Sequence, residues 1–329
     1  MDHRISRRNF LQTAGLLGAG TLLSGMKSFP EGEPEELFSI SLAEWSVNRK
    51  IFGKAREGDW LEFNHRLHHN FPSIEKQAEM TNLQFPGFAR NLGFDAVEYV
   101  NTCFFDKATN QEYLSELRNI CKQEGVKSLL IMCDNEGEVG NPDSGERLKT
   151  VENHKKWIDA AAILGCHSIR VNASSKGTYE EQQKLVSDGL HQLCEYGDKA
   201  KINILVENHG GLSSNAEWLA GVMQLTAHKR IGTLPDFGNF RISENEEYDR
   251  YRGVEILMPW AKGVSAKSHG FDELGNETET DFYKMVRIVL DSGYRGYIDV
   301  EYEGTLLSET EGIIATKKLL EKARKNYGK

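Results

Sequence analysis

The sequence predicts a single-domain α/β fold, a (β/α)₈ TIM barrel, and three observations carry the prediction. Eight apolar runs alternate with helical patterns from residue 38 onward, with no second composition regime. Gly125, Gly165 and Gly293 stand between a helical pattern and the next strand, where a left-handed C-cap is wanted. Strand after strand ends on charged or amide side chains, and the C-terminal strand ends are where such a barrel builds its chemistry. A doubly wound sheet is the alternative. It is weakened because no Gly-rich phosphate fingerprint follows the first strand.

Residues 1–28 read as an address rather than a part of the fold. Ser6-Arg7-Arg8-Asn9-Phe10-Leu11-Gln12 is a twin-arginine motif, followed by a short apolar segment from Thr13 to Leu23. That segment is too short for a permanent membrane span, and no cysteine follows it to carry a lipid anchor. The expectation is export by the twin-arginine (Tat) machinery into the periplasm after folding in the cytoplasm. Residues 29–37 are rich in Pro and Glu and read as a linker, leaving 38–329 for the barrel.

The formal net charge is −9. Residues 1–28 hold four basic side chains and one acid, a contribution of +3, so the remainder carries −12. Such a surface repels phosphate backbones and argues against a nucleic-acid partner. The five cysteines form no CxxC or other short metal spacing, and Cys133 and Cys166 sit in apolar runs as buried free thiols. A homo-oligomer is compatible with the sequence, which does not specify one.

In chain order, the strands are expected at 38–46, 94–101, 127–134, 166–173, 201–208, 231–236, 261–268 and 296–302. Helical patterns cover 111–124, 147–164, 179–200, 215–228, 281–292 and 307–324. The stretch 47–72, with His65, His68 and His69, is an insertion after the first strand, on the catalytic side and placed to act as a lid. Its histidines read as surface residues.

The fifth strand runs into Val206-Glu207-Asn208-His209-Gly210-Gly211-Leu212-Ser213-Ser214. Alternation puts Glu207 and His209 on one face with Leu205. Ser214 and Glu217 have the spacing of a capping box for the next helix. Other strands end on Glu98 and Asn101, Asp134 and Glu136, Arg170 and Asn172, Asp236 and Asn239, Ser265, Lys267 and His269, and Asp299, Glu301 and Glu303. Glu207, Asp236 and Glu301 meeting at one mouth are three like charges in a confined space, which is costly unless a cation joins them. An oxygen-rich site with one imidazole suits Mn²⁺ or Mg²⁺ better than Zn²⁺. The bland alternatives are ion pairs of these glutamates with Arg170 or Lys267, a turn role for Asp236, and pairing of Lys267 with Asp299. Trp45 either stacks on a sugar ring or plugs the barrel.

The segments 154–174 (HKKWIDAAAILGCHSIRVNAS), 206–223 (VENHGGLSSNAEWLAGVM), 232–240 (GTLPDFGNF) and 293–304 (GYRGYIDVEYEG) resemble the xylose isomerase-like TIM barrels, the sugar isomerase and epimerase group. The resemblance extends over roughly 38–325 and, more narrowly, to a secreted bacterial branch. It implies a divalent metal held by strands five to eight, with Glu207, Asp236 and Glu301 matching three ligands. The two glutamates would double as acid and base on the two faces of a keto-sugar. The departure is on strand seven, where the family's inward His is Ser265; His269, on the same face by alternation, is the expected replacement ligand, with His209 the second candidate imidazole. Arg170, Asn172, His209, Asn239, Lys267 and Trp45 remain as substrate-binding candidates.

The expected activity is a metal-dependent isomerase or epimerase acting on a small carbohydrate by proton abstraction beside a carbonyl. A keto-sugar dehydratase or lyase shares that first step. A DNA-repair endonuclease shares the fold but conflicts with the acidic charge. A non-catalytic sugar-binding barrel is the remaining alternative.

Overall fold

Residues 36–328 are described by a computed structural model of the 329-residue chain. The twin-arginine motif and nearly all of the linker lie outside the described residues. Eight parallel strands form one sheet: β1 (Ser39–Ala43), β2 (Ala96–Val100), β3 (Lys127–Cys133), β4 (Ser168–Val171), β5 (Asn203–Glu207), β6 (Ile231–Leu234), β7 (Val264–Ser268) and β8 (Tyr297–Tyr302). The ladder order is β6-β5-β4-β3-β2-β1-β8-β7. The two edges meet through isolated parallel bridges, Thr233 with Ala261 and Asp236 with Ser265, so the sheet curls until β6 faces β7. Every strand lies inside its expected run. β6 stops two residues early, because Pro235 has no N–H for a ladder bond.

Alternation sorts the strand residues into two environments. Ile169, Val171, Ile204, Val206, Ile298 and Val300 share the parity opposite the polar residues and belong to one buried apolar cluster with helix residues such as Trp157, Leu190, Val222 and Leu320. The barrel interior is polar: Ser41, Glu98, Arg170, Glu207, Ser265, Lys267, Asp299 and Glu301 are all at most 5% exposed. Buried charge at this density requires partners, and the partners define the site.

Side-chain caps fix where the helices begin. Asp143 starts Ser144–Leu164, Thr178 starts Tyr179–Ala200 through a capping box with Glu181, and Ser308 starts Glu309–Asn326 in the same way. Gly125 and Gly165 end their helices at φ of 67° and 82°, as the sequence pattern requires. The capping box expected at Ser214 and Glu217 is not formed. Asn215 caps Ala216–Thr226 instead, accepting from Trp218 N at 2.9 Å, and Glu217 turns outward to Arg252. Ser214 is one residue too early, and its Oγ spans to the neighbouring loop, donating to Asn239 O at 2.8 Å.

The 47–72 insertion folds into short helices, chiefly Trp60–His69, whose Phe63 and Leu67 are buried. The helices Phe85–Asn91 and Arg250–Leu257 and a hairpin pairing Arg241–Ser243 with Glu246–Glu247 are further elements the periodicity did not signal. Among the described residues no helix is long and apolar enough to cross a membrane.

Candidate active site and metal centre

The C-terminal ends of β5, β6 and β8 bring three carboxylates together. Glu207, Asp236 and Glu301 each offer one oxygen, and these oxygens lie within 4.8 Å of one another. All three residues are buried, at 1%, 0% and 4% exposure. Glu207 and Asp236 are each hydrogen-bonded through one oxygen only. Glu207 Oε1 accepts from Asn239 Nδ2 at 3.0 Å. Asp236 Oδ1 accepts from the backbone of Gly238 and Asn239 at 2.8 and 2.6 Å, the Asx geometry of the turn it also serves. Glu301 Oε2 accepts from Ser265 Oγ at 3.1 Å. Glu207 Oε2 and Asp236 Oδ2 are buried without a hydrogen-bond partner.

Two buried cations stand beside these carboxylates, in the ion pairs named above as the bland alternative, but they are too few to neutralise the group. Arg170 on β4 donates from Nη1 to Asp134 Oδ1 at 2.7 Å, and its Nε lies 2.8 Å from Glu207 Oε2. That second contact is an ion pair without hydrogen-bond alignment, so both atoms stay unsatisfied. Lys267 on β7 reaches Glu301 Oε1 at 2.9 Å and Glu303 Oε1 at 2.6 Å, not Asp299. Five carboxylates, Asp134, Glu207, Asp236, Glu301 and Glu303, therefore share two cations. Burial opposes charge on Lys267, but the carboxylates of Glu301, Asp236, Glu303 and Glu207 outweigh it and hold the ammonium firmly protonated. Burial likewise opposes ionisation of Asp134 and Glu303, yet Arg170 and Lys267 hold these two at about 2. Asp236 is pushed up to about 6 by burial, with Lys267 opposing and the Glu207 charge adding to the shift. Glu301 is raised too, by burial and by the facing carboxylates, against the pull of Lys267.

The donor set fits a hard divalent cation. Three carboxylates each offer an oxygen within 4.8 Å of the others, two of them also carry an unsatisfied buried oxygen, and together they supply oxygen ligands with excess negative charge. The imidazole expected from His269 does not join them. Glu277 Oε1 captures the backbone N–H of His269 and Gly270 at 3.2 and 3.3 Å, turning the chain at the end of β7. The His269 ring then sits 38% exposed, 3.8 Å from Glu279. Ser265 occupies the inward position, and its Oγ also donates to Asp299 Oδ1 at 2.9 Å.

Trp45, Arg170, Asn172, His209, Asn239 and Lys267, the substrate-binding candidates, line one cavity of about 390 Å³ together with Glu301. Arg170, Asn172 and Asp134 form a fixed polar patch, with Asn172 Nδ2 donating to Asp134 Oδ1 at 2.7 Å. His65 and His69 stack on each other at the surface, and neither lines the cavity.

Sequence reasoning missed Asn208. Its parity points away from Glu207, yet it is fully buried and laces β5 to the next loop, donating to Asp236 O and Asn239 O and accepting from Asp236 N. An amide on the parity of the apolar Ile204 and Val206 was the available signal. It also missed Arg56, Trp60 and Phe63 on the insertion, which line the same cavity.

A short match, 42% identical over 57 residues, links the chain to the alpha subunit of a 3'-dehydrocarminate deglycosidase from a Microbacterium species. It covers 17% of this chain and 16% of that relative, so the chain matches about one-sixth of that protein's length. Among solved structures, the 3-keto-D-glucoside 4-epimerase of E. coli superposes with a TM-score of 0.60 at 15% identity, covering 73% of this chain and 94% of that one. A xylose isomerase-like TIM barrel protein from Mycobacterium smegmatis, in complex with magnesium, superposes at 0.59 with 14% identity, covering 88% and 97%. At those identities the structures report a shared fold. The sequence pattern of one family matches residues 86–323, most of the described barrel, and the chain belongs to that family, the xylose isomerase-like TIM barrels.

Proposed function

We propose that this barrel is a divalent-metal-dependent enzyme that removes and returns a proton beside the carbonyl of a keto-sugar, as an isomerase or epimerase. The observation that carries the reading is the cluster of Glu207, Asp236 and Glu301, whose oxygens lie within 4.8 Å of one another, with Glu207 Oε2 and Asp236 Oδ2 buried and unsatisfied and Glu301 lining the polar cavity beside them. A cation bound there, Mg²⁺ or Mn²⁺ by the oxygen-only donor set, supplies polarisation of the carbonyl and its neighbouring hydroxyl. Glu207 and Glu301 are the candidate bases, standing on β5 and β8 across the barrel mouth. Lys267, held protonated, can donate to a substrate oxygen. The patch of Asp134, Arg170 and Asn172 can fix hydroxyl groups with little reorganisation.

A lyase reading has its own support in the short match to a deglycosidase subunit. It begins with the same proton abstraction and differs only in the fate of the enolate. Elemental analysis of the purified protein tests the metal, with about one divalent ion per chain expected. Incubating it with a keto-sugar in D₂O tests the chemistry, with deuterium expected beside the carbonyl. A protein that holds no ion and catalyses no exchange is a sugar-binding barrel instead.

The twin-arginine motif at Arg7 and Arg8 further supports export to the periplasm. Replacing both with Lys is expected to retain full-length protein in the cytoplasm, read by fractionation and immunoblot. A normal periplasmic yield removes the export reading.

A further inference from the structure

The cavity has two unlike walls. One is the polar set already described. The other is built by the loop after β1 and by the insertion: Trp45, Arg56, Trp60 and Phe63. Arg56 lies between the two indoles, its guanidinium carbon 4.5 Å from the Trp45 ring centre and 5.9 Å from that of Trp60. Trp60 in turn stacks on Phe63, with centroids 5.4 Å apart and planes 23° apart. The wall is therefore a continuous π and guanidinium surface.

Two features of this wall bear on what lies against it. Trp60 is 49% exposed although Phe63 beneath it is buried, so a large apolar surface is left facing water at a cavity mouth. Arg56 donates to Asn48 Oδ1, and no carboxylate forms an ion pair with it among the described residues. A guanidinium presented this way favours the electron-rich face of an aromatic ring. The three carboxylates Asp134, Glu301 and Glu303 offset the three cations Arg56, Arg170 and Lys267 in the same lining, so its formal charge gives an anionic group such as a sugar phosphate no net attraction.

We propose that Trp45, Arg56, Trp60 and Phe63 form an aglycone subsite, so that the substrate is a keto-sugar still carrying a planar aromatic group. The inference rests on the keto-sugar reading and adds the substrate class to it. The sugar lies along the Asp134, Arg170, Asn172 and Lys267 side, and the aromatic group lies against Trp60 and Arg56.

The test is equilibrium binding to the full, Mn²⁺-loaded protein, with two probes that do not need to react: phenyl β-D-glucopyranoside and D-glucose. The aryl glucoside is expected to bind at least tenfold more tightly, the scale of one good aromatic contact. Trp60→Ala is expected to bring that ratio down close to one, and Trp60→Phe to keep most of it, which guards against a folding defect in the first variant. Equal affinity for the two probes, undetectable binding of the aryl glucoside, or an equal loss for both probes in Trp60→Ala overturns the proposal. The two readings fail separately. Deuterium exchange on a free keto-sugar without an aryl preference removes the subsite and leaves the enzyme. An aryl preference that depends on Trp60, in a protein that exchanges no deuterium, leaves the subsite and removes the isomerase reading.

Discussion

Two groups of buried carboxylates share the barrel interior, and they reach stability by different routes. At the mouth, Glu207, Asp236 and Glu301 stand with Arg170 and Lys267, and two of their oxygens remain unsatisfied. Deeper in, Glu98 on β2 and Asp299 on β8 are fully buried and have no cation paired with them among the described residues, and Glu98 Oε2 and Asp299 Oδ2 also lack a partner unless a proton is shared between the two carboxyls. Ser41 Oγ donates to Glu98 Oε1 at 2.8 Å and Ser265 Oγ to Asp299 Oδ1 at 2.9 Å. Burial pushes Glu98 up to about 7 and raises Asp299 well above the usual carboxylate range, so this pair holds a proton where the upper group has cations. A buried carboxylate can be tolerated by either means. Only the mouth group adjoins the open cavity, through Arg170, Lys267 and Glu301, and so stands where a ligand can reach it.

The sharpest way to break the contrast is at the mouth. Glu207→Gln and Glu301→Gln keep shape and one coordinating oxygen but lose the proton-accepting charge. Each is expected to lower turnover roughly 10²–10⁴-fold, the usual contribution of a general base, while the metal content stays near wild type. A variant with its metal and near-normal turnover would show that glutamate to be a ligand only. Next in size is Arg170→Met, which leaves the buried Glu207 and the half-buried Asp134 without their guanidinium. Denaturant unfolding of metal-free protein should report a loss of about 3–5 kcal/mol, the cost of stranding a buried charge. A loss under about 1 kcal/mol would mean the two carboxylates are neutralised by something other than Arg170.

The smallest effect is expected in the deeper pair. Glu98→Gln replaces a protonated carboxyl by an amide of the same shape, and at pH 5 the change should stay within about 1 kcal/mol. The sign follows from the raised value. Protonated Glu98 contributes stability that is complete below about 4.5 and is lost as pH rises through about 7. Wild-type melting temperature should therefore fall between pH 5 and 8, and Glu98→Gln should flatten that fall and be the more stable protein at pH 8. An unchanged pH profile in the variant would show that Glu98 does not carry the proton.

Much of this was legible in the sequence because barrels are periodic. Parity alone placed Arg170, Glu207, Asp299 and Glu301 in the interior, and glycine C-caps marked the returns to the next strands. What parity could not reach lies where the strand ends and the chain turns. His269 shares the face of Lys267 by counting, but the Glu277 contacts redirect the backbone before the count applies. Asn208 has the parity of an apolar residue and is held for its hydrogen bonds across strands. Arg56 and Trp60 belong to an insertion without barrel periodicity, so only the folded loop brings them over the mouth. The pairing of Lys267 with Glu301 and Glu303 rather than Asp299 is a choice among inward neighbours that spacing leaves degenerate.

The join between β6 and β7 has a mechanical consequence. Pro235 interrupts the ladder, and the two strands meet through three backbone hydrogen bonds, Lys262 N to Thr233 O, Ser265 N to Pro235 O and Phe237 N to Ser265 O. Elsewhere around the circumference neighbouring strands pair over four or five residues, except β1 with β2, which pair over two. The cylinder thus has a seam, and breathing motions of the wall are expected to concentrate there. Asp236 stands on one lip of the seam, while Glu301 on β8 stands behind the other lip through its pairing with Lys267 on β7. An ion held by both carboxylates would act as a clasp across that gap, so that loading the site and stiffening the cylinder would be a single event.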